Sequence, residues 1–303
     1  MPSFSVVIPT YNRAALITGT VNSVLAQDYT DYEVVLVDDG SSDNTAEVVS
    51  KNYAGEQRVK YIRQANAERG AARNRGLREA CGSYVVFFDS DDVMHADHLS
   101  ALAAVIKERP ESNFLATKYE IKRDGKSFPS SLAGLTEGFY GLDIFLRGNP
   151  LACNICVRKG NSRLHPFVED RSYAVFEDWM FMVQNLASDQ LYLSDRVTIS
   201  LIDHANRSMR GNNQEIIKKN RRARDWIMEN VPLSDDQQRI LDGYSHYFCA
   251  IHSYLDDDWK NGLRHLSSAG RRIGVNKNVA ALFVKLMIGQ KLLHKASKAI
   301  KKS

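Results

Sequence analysis

Four short runs constrain this chain more than anything else in it: FSVVI at 4–8, YEVVLV at 32–37, RVKYI at 58–62 and YVVFF at 84–88. Each is nearly continuous in apolar or β-branched residues. A strand with one wet face alternates apolar and polar side chains, so a run without alternation predicts a strand covered on both faces. The segments between them, AALITGTVNSVLAQ, DNTAEVVSKNY and RGAARNRGLREA, carry helical spacing. Ser42 or Asp43 is placed to cap the second of these helices and Gly82 to stop the third. Such alternation predicts an α/β fold, a mostly parallel sheet with right-handed crossovers, flanked by helices.

From about residue 95 the pattern loosens. The sequence predicts a helix over 95–108, strands at FLATKYEIK and at LACNICV (151–157), and a helix at FEDWMFMVQNLA (176–187). Residues 124–150 read as loop with one short helix. Beyond Gln214 three helical stretches follow, EIIKKNRRARDWIMENV, SDDQQRILDGYSHYFCAIHSYL and a last one from about Asn278. The expected organisation is an α/β domain over 1–212 and a helical, basic C-terminal region over 213–303.

The 303 residues, 44% apolar and 25% charged, suit a globular protein with a substantial core, and no apolar stretch is long enough to span a bilayer. No signal segment precedes FSVVIPT, and four cysteines are too few for a disulfide framework, so the expected compartment is a reducing cytoplasm. Charge is unevenly spread. Eleven of the 40 Lys and Arg residues follow Asp258, where no acid occurs, which leaves 29 bases against 36 acids before that point. On a C-terminal helix Val279, Leu282, Leu286, Leu293 and Ile300 form one stripe and Lys291, Lys295, Lys298 and Lys302 another. That pattern suits the surface of an anionic membrane, or a helix packed on its own domain with a solvated lysine face. No nucleic-acid motif or stacking platform accompanies the charge.

Ligands of open α/β sheets bind beyond the carboxyl ends of the strands. The unusual residues fall there: PTYNR after the first strand, DDGSSD after the second and DSDD after the fourth. Asp89, Asp91 and Asp92 crowd like charges that a hard divalent cation, Mn²⁺ or Mg²⁺, would make tolerable while leaving positions for substrate phosphates. The bland alternative is a solvated turn in which Ser90 or Asp92 caps the next helix. PTYNR lacks the glycines of a dinucleotide fingerprint; Tyr11 offers a ring for a base, and Asn12 a paired donor and acceptor. Asp38 and Asp39 can accept from a base N–H or a ribose hydroxyl. Arg69 and Arg73 share a helix face suited to a pyrophosphate, and Arg75 lies elsewhere.

Together SVVIPTYNR, VVLVDDGSSDNT, RGAARNRGLREACGSYVVFFDSDD and FEDWMF resemble the family 2 glycosyltransferases, most strongly over residues 4–110. The resemblance implies a GT-A nucleotide-diphospho-sugar transferase fold and an inverting, metal-dependent transfer of a sugar, from UDP most often, to a hydroxyl of a glycan or lipid-linked acceptor. It implies a base pocket lined by Pro9, Tyr11 and Asp39, with Thr10, Asn12, Arg13 and Asp38 beside it. Arg73, with Arg69 near it, would hold base or diphosphate. Asp89 and Ser90 would face the nucleotide, Asp91 and Asp92 the metal and ribose. Asp178 would be the general base, with Glu177 next to it. In HANRSMR, His204 would be a third metal ligand or a phosphate donor. A helix first turn favoured by the dipole is the competing explanation for Glu177 and Asp178.

Two rivals belong to other classes: an aspartyl phosphotransferase using DSDD, and a non-catalytic nucleotide-sugar-binding module. The first normally places its aspartate after the first core strand, whereas DSDD follows the fourth. Cys153 and Cys156 have a zinc-like spacing without a second ligand pair and read as core cysteines. A cytoplasmic protein, held at most peripherally at the inner face of the membrane, is the expected setting.

Overall fold

The computed structural model describes residues 3–152, 154–204 and 211–289. The first elements are β1 Phe4–Thr10, α1 Ile17–Leu25, β2 Tyr32–Asp38, α2 Thr45–Tyr53, β3 Val59–Arg63, α3 Glu68–Glu79 and β4 Tyr84–Phe87. Then come β5 Val93–Met94, α4 His98–Glu108, β6 Phe114–Arg123, β7 Lys126–Pro129, β8 Gly138–Tyr140, β9 Ile155–Arg158, α5 Glu177–Leu186 and β10 Leu191–Ile202. The helices α6 Asn213–Asn230, α7 Asp235–Leu255, α8 Trp259–Ile273 and α9 Lys277–Ile288 complete the described chain.

One sheet runs β3-β2-β1-β4-β9-β6-β10-β5, with β7 on β6 and β8 on β10. The expected parallel order holds for β3-β2-β1-β4 and again for β6 with β10. Between these two blocks β9 is antiparallel to both neighbours. β1 and β4 are buried along their whole length. β3 differs from the reading of a strand covered on both faces: it is the sheet edge and alternates partly buried with exposed residues. Edge position explains its charged side chains, which blunt pairing with another chain.

Local details also depart from expectation. α2 starts at Thr45 after Asn44, whose side chain makes no cap bond, while Asp43, one of the two expected capping residues, accepts from the backbone N–H and hydroxyl of Thr45. Gly82 does not stop α3, which ends at Glu79; a Cβ there would lie 2.6 Å from the Phe4 carbonyl carbon. Its bareness lets the chain enter β4 directly against β1. Neither Ser90 nor Asp92 caps α4, whose first turn follows Asp97. Residues 124–150 contain two short strands as well as a 3-10 turn at Leu142–Phe145.

The described residues divide into two compact units. One takes the chain up to Leu142 and from Asn149 to 204; the other takes Asp143–Gly148 and the residues from 211 on. In the second, Asn212, Ser234, Asp258 and Asn276 each accept from free N–H groups at the start of a helix. Its core includes Ala250, Leu266, Val279, Leu282 and Leu286, so the first three positions of the expected apolar stripe are buried. Leu293, Ile300 and the four lysines of the second stripe lie outside the described residues, as do Cys153 and the HANRSMR segment beyond His204. Cys156 is buried in β9. Among the described residues no helix is long and apolar enough to cross a membrane.

Candidate active site

The loops after β1, β2 and β4 meet at one sheet edge because β2, β1 and β4 are adjacent and parallel. Oxygens of Asp89, Asp91 and Asp92 lie within 4.8 Å of one another. Asp91 Oδ2 is 3.0 Å from His204 Nε2 and 3.5 Å from Arg13 Nη2, which brings three predicted residues together from three parts of the chain. A carboxylate cluster with an imidazole beside it is a donor set that fits Mn²⁺ or Mg²⁺. Asp92 fits least, since it is buried and its Oδ1 already accepts from the Ile202 N–H at 2.9 Å.

Arg73 lies at the Asp89 end of this cluster. A guanidinium 1% exposed must be paired, and it spans two carboxylates: Nη2 donates to Asp89 Oδ1 at 3.0 Å and Nη1 to Glu177 Oε1 at 2.7 Å. Its guanidinium carbon sits 5.4 Å from the centroid of Phe167. Arg73 therefore ties the end of β4 to the start of α5. Glu177 is likewise buried, so it too supports its neighbours rather than facing an open site. Burial alone would raise its pKa, but the Arg73 and Arg69 guanidinia outweigh that and hold it below the usual range.

Asp178 follows on the same first turn and behaves oppositely. Burial, then the charge of Glu177, push its carboxyl up to about 6, with Asp89 adding to the rise and Arg73 opposing it. Asn149, a residue the sequence reading did not single out, donates to Asp178 Oδ2 at 2.9 Å, while Oδ1 accepts from the Trp179 N–H at 2.7 Å. The residue three positions before Asp178 is Val175, with φ of 77°. A β-branched side chain in the left-handed region is rare, and such strain gathers where a structure must aim particular groups.

The base-pocket residues divide. Tyr11 is 47% exposed with its ring available for stacking, whereas Pro9, Thr10 and Ser90 are buried. Asn12 sits at φ of 53° and its Oδ1 accepts from the Ser42 and Asp43 N–H groups at 2.8 and 3.3 Å, locking the first loop to the second. Asp38 accepts from the Ser41 N–H at 2.7 Å and the Tyr61 hydroxyl at 2.5 Å. Asp39 accepts from Gln64, Asn66 and the N–H groups of Ala67 and Glu68. A carboxylate offers about four acceptor positions. Asp38 and Asp39 thus build the loop and the entry to α3, and in this structure Asp39 meets four donors of its own chain. Arg75 pairs with Glu79 at 2.9 Å on the helix surface, as its separate face suggested.

Comparison with known proteins agrees with this geometry. The glycosyl transferase family 2 pattern matches residues 5–164. The chain is 36% identical over 135 residues to the poly(ribitol-phosphate) β-N-acetylglucosaminyltransferase TarP of Staphylococcus aureus, 44% of this chain and 41% of that one. It is 38% identical over 104 residues to the GalNAc(5)-diNAcBac-PP-undecaprenol β-1,3-glucosyltransferase of Campylobacter jejuni, about a third of each. The match thus spans well under half of these relatives' length. Among solved structures, Staphylococcus aureus TarS 1-349 superposes with a TM-score of 0.67 at 23% identity, over 93% of this chain and 88% of that one. Its complex with UDP-GlcNAc gives 0.65 at 25%, over 92% and 83%. The mixed sheet, its loops and these likenesses together give a GT-A fold, and the chain belongs to glycosyl transferase family 2.

Proposed function

We propose that this protein transfers a sugar from a nucleoside diphosphate, UDP in the first instance, to a hydroxyl group of a glycan or lipid-linked acceptor, with inversion at the anomeric carbon. The observation that carries the reading is Asp178: a carboxylate with its pKa raised to about 6, fixed by Asn149 and tied through Glu177 and Arg73 to the Asp89 end of the acidic cluster. A general base works best with a pKa near the working pH, and a positioned carboxylate contributes about 10²–10⁴ in rate.

In the proposed reaction the acceptor hydroxyl lies within hydrogen-bond reach of Asp178. Its proton passes to the carboxylate as its oxygen bonds to the anomeric carbon, and the bond to the diphosphate breaks on the opposite face. One displacement inverts the centre and needs no enzyme nucleophile. Asp89 and Asp91 with His204 would hold a divalent cation, which when bound offsets charge on the departing diphosphate. Arg13 lies beside the same cluster, and Tyr11 offers its exposed ring to the base. UDP-GlcNAc is the first donor to test, because a fold relative has been solved with it. A lipid-linked acceptor accords with placement at the inner face of the cytoplasmic membrane, where α9 would offer exposed Phe283 and Met287 beside Lys285.

The deciding experiment compares the parent protein with Asp178→Asn, using UDP-GlcNAc, other UDP-sugars and Mn²⁺. The variant should bind UDP with Mn²⁺ as tightly as the parent while turnover, including slow hydrolysis of the donor, falls by about 10²–10⁴. Unchanged turnover would leave a binding module as the better description. A phosphoryl group trapped on Asp89 would point instead to the aspartyl phosphotransferase.

A further inference from the structure

A second polar cavity lies wholly within the helical unit, about 380 Å³ in volume and lined from α6, α7 and α8. Arg221 and Arg264 line it with His246, His265, Asn261 and Ser268. Three arginines of this unit are matched by acids: Arg224 and Arg272 both donate to Asp242, and Arg239 pairs with Asp236. Among the described residues Arg221 and Arg264 have no such partner. Two guanidinia without a carboxylate partner at one cavity, with the Ser268 hydroxyl also lining it and the Asn261 amide donating to Asp258 at 2.6 Å, form an arrangement that an anion completes.

The two histidines strengthen the case. His246 Nδ1 and His265 Nδ1 face each other at 2.9 Å, so one must carry the proton and the other accept it. Burial and the surrounding guanidinia disfavour a second proton. His246 is pushed down to about 4, by burial first, with Arg272, His265 and Arg224 adding and Asp242 opposing. His265 is lowered by burial first, with Arg221, Arg264 and Arg224 adding and Asp258 opposing. Around the two imidazoles the opposing acids are Asp242 and Asp258, and Asp256 accepts from Gln214, another residue of the cavity wall.

We propose that this cavity binds a phosphate ester, its phosphate held by Arg221 and Arg264 and its hydroxyl-bearing remainder set against Asn261 and Ser268. The volume exceeds what one phosphate needs and accommodates a small polyol or sugar attached to it. The proposal is independent of the donor site. All its lining residues belong to the helical unit, and the acidic cluster and Asp178 belong to the other.

The test titrates the full chain with glycerol 3-phosphate by calorimetry, in saturating Mn²⁺ and UDP so that the donor site is filled, against sodium chloride at matched ionic strength. Arg221→Gln and Arg264→Gln are made singly and together. The parent should bind, and each charge-assisted contact removed should weaken binding about tenfold or more. The melting temperature without ligand and the stabilisation by UDP should stay as in the parent. Histidine ring resonances of His246 and His265 should shift on adding the ester and not on adding chloride. Vesicles of phosphatidylglycerol present the same phosphate chemistry from a lipid. Arginine-dependent vesicle binding assigns the source to a membrane headgroup, and arginine-dependent binding of the soluble ester alone assigns it to a free phosphate. Binding equally strong in the double variant, or absent from the parent with both probes, overturns the proposal.

Discussion

At the scale of single residues, the site shows how one buried cation separates two adjacent carboxyls. Arg73, with Arg69, outweighs burial at Glu177 and holds it ionised; Asp178, one residue on, is raised by burial first and then by the charge of Glu177. The ordinary value is 3.8 and the folded value about 6. Between those pH values the folded state keeps a proton that the unfolded chain releases, so stability falls as pH rises through that window. At pH 7 the ionised Asp178 therefore opposes folding, and Asp178→Asn, which can still accept from the Trp179 N–H but gives up the acceptor facing Asn149 Nδ2, should raise the melting temperature while turnover collapses. The gain should shrink as the pH is lowered toward 4, and a variant less stable than the parent at pH 7 would contradict the electrostatic account. In the parent, kcat/KM should rise with pH and level off above about 6. Arg73→Met makes the complementary case. It leaves Glu177 buried without its cation, which costs about 3–5 kcal/mol, and denaturant titration should register that loss.

At the scale of elements, legibility followed burial. β1, β2 and β4 were plain in the sequence because both faces are covered and apolar residues dominate there. β3 carries the same residue types yet lies at the edge, a placement fixed by its one partner β2 and not by its own composition. β10 escaped notice because Ser194, Asp195 and Arg196 interrupt its apolar pattern, where the register with β6 shifts. α8 was hidden by Gly262 and Gly270, poor helix formers that stand within it. The acidic ends of β4 and α5 could be read from motifs. Their connection through Arg73, and the clamp of Asn149 on Asp178, could not, because those contacts join residues far apart in the chain. Glycines in α3 record the same packing demand: a Cβ on Gly70 would lie 2.4 Å from the Val168 carbonyl oxygen, a backbone atom that cannot simply rotate away. Asn74 on the same helix exchanges hydrogen bonds with the Phe167 backbone at 2.8 and 2.9 Å. Gly70→Ala should therefore displace the 167–168 segment and cost about 1–3 kcal/mol as overpacking. Gly19→Ala is the control: it faces open space on α1, and its stability should hold or rise by helix propensity.

At the scale of the whole molecule, the acidic cluster makes donor binding a problem of charge. A nucleoside diphosphate brought to Asp89, Asp91 and Asp92 meets like charge, which a divalent cation offsets, so in the proposed reading metal and nucleotide should each favour the other's binding by the same factor. Ligand binding to the folded state raises unfolding free energy by about 2.7 kcal/mol at a hundredfold excess over Kd, so the coupling is visible in melting curves. UDP alone and Mn²⁺ alone should shift the curve little, and both together by more than the sum. Asp91 is the residue to test, because it meets His204 and Arg13 without serving a buried backbone group as Asp92 does. In Asp91→Asn the excess shift should vanish, and in the parent EDTA should remove it and added Mn²⁺ restore it. The glycerol 3-phosphate affinity of the helical cavity should be unmoved by Asp91→Asn, since its lining residues all belong to the helical unit and Asp91 to the other. UDP stabilisation that persists undiminished in EDTA would mean that the three aspartates do other work than holding a cation for the nucleotide.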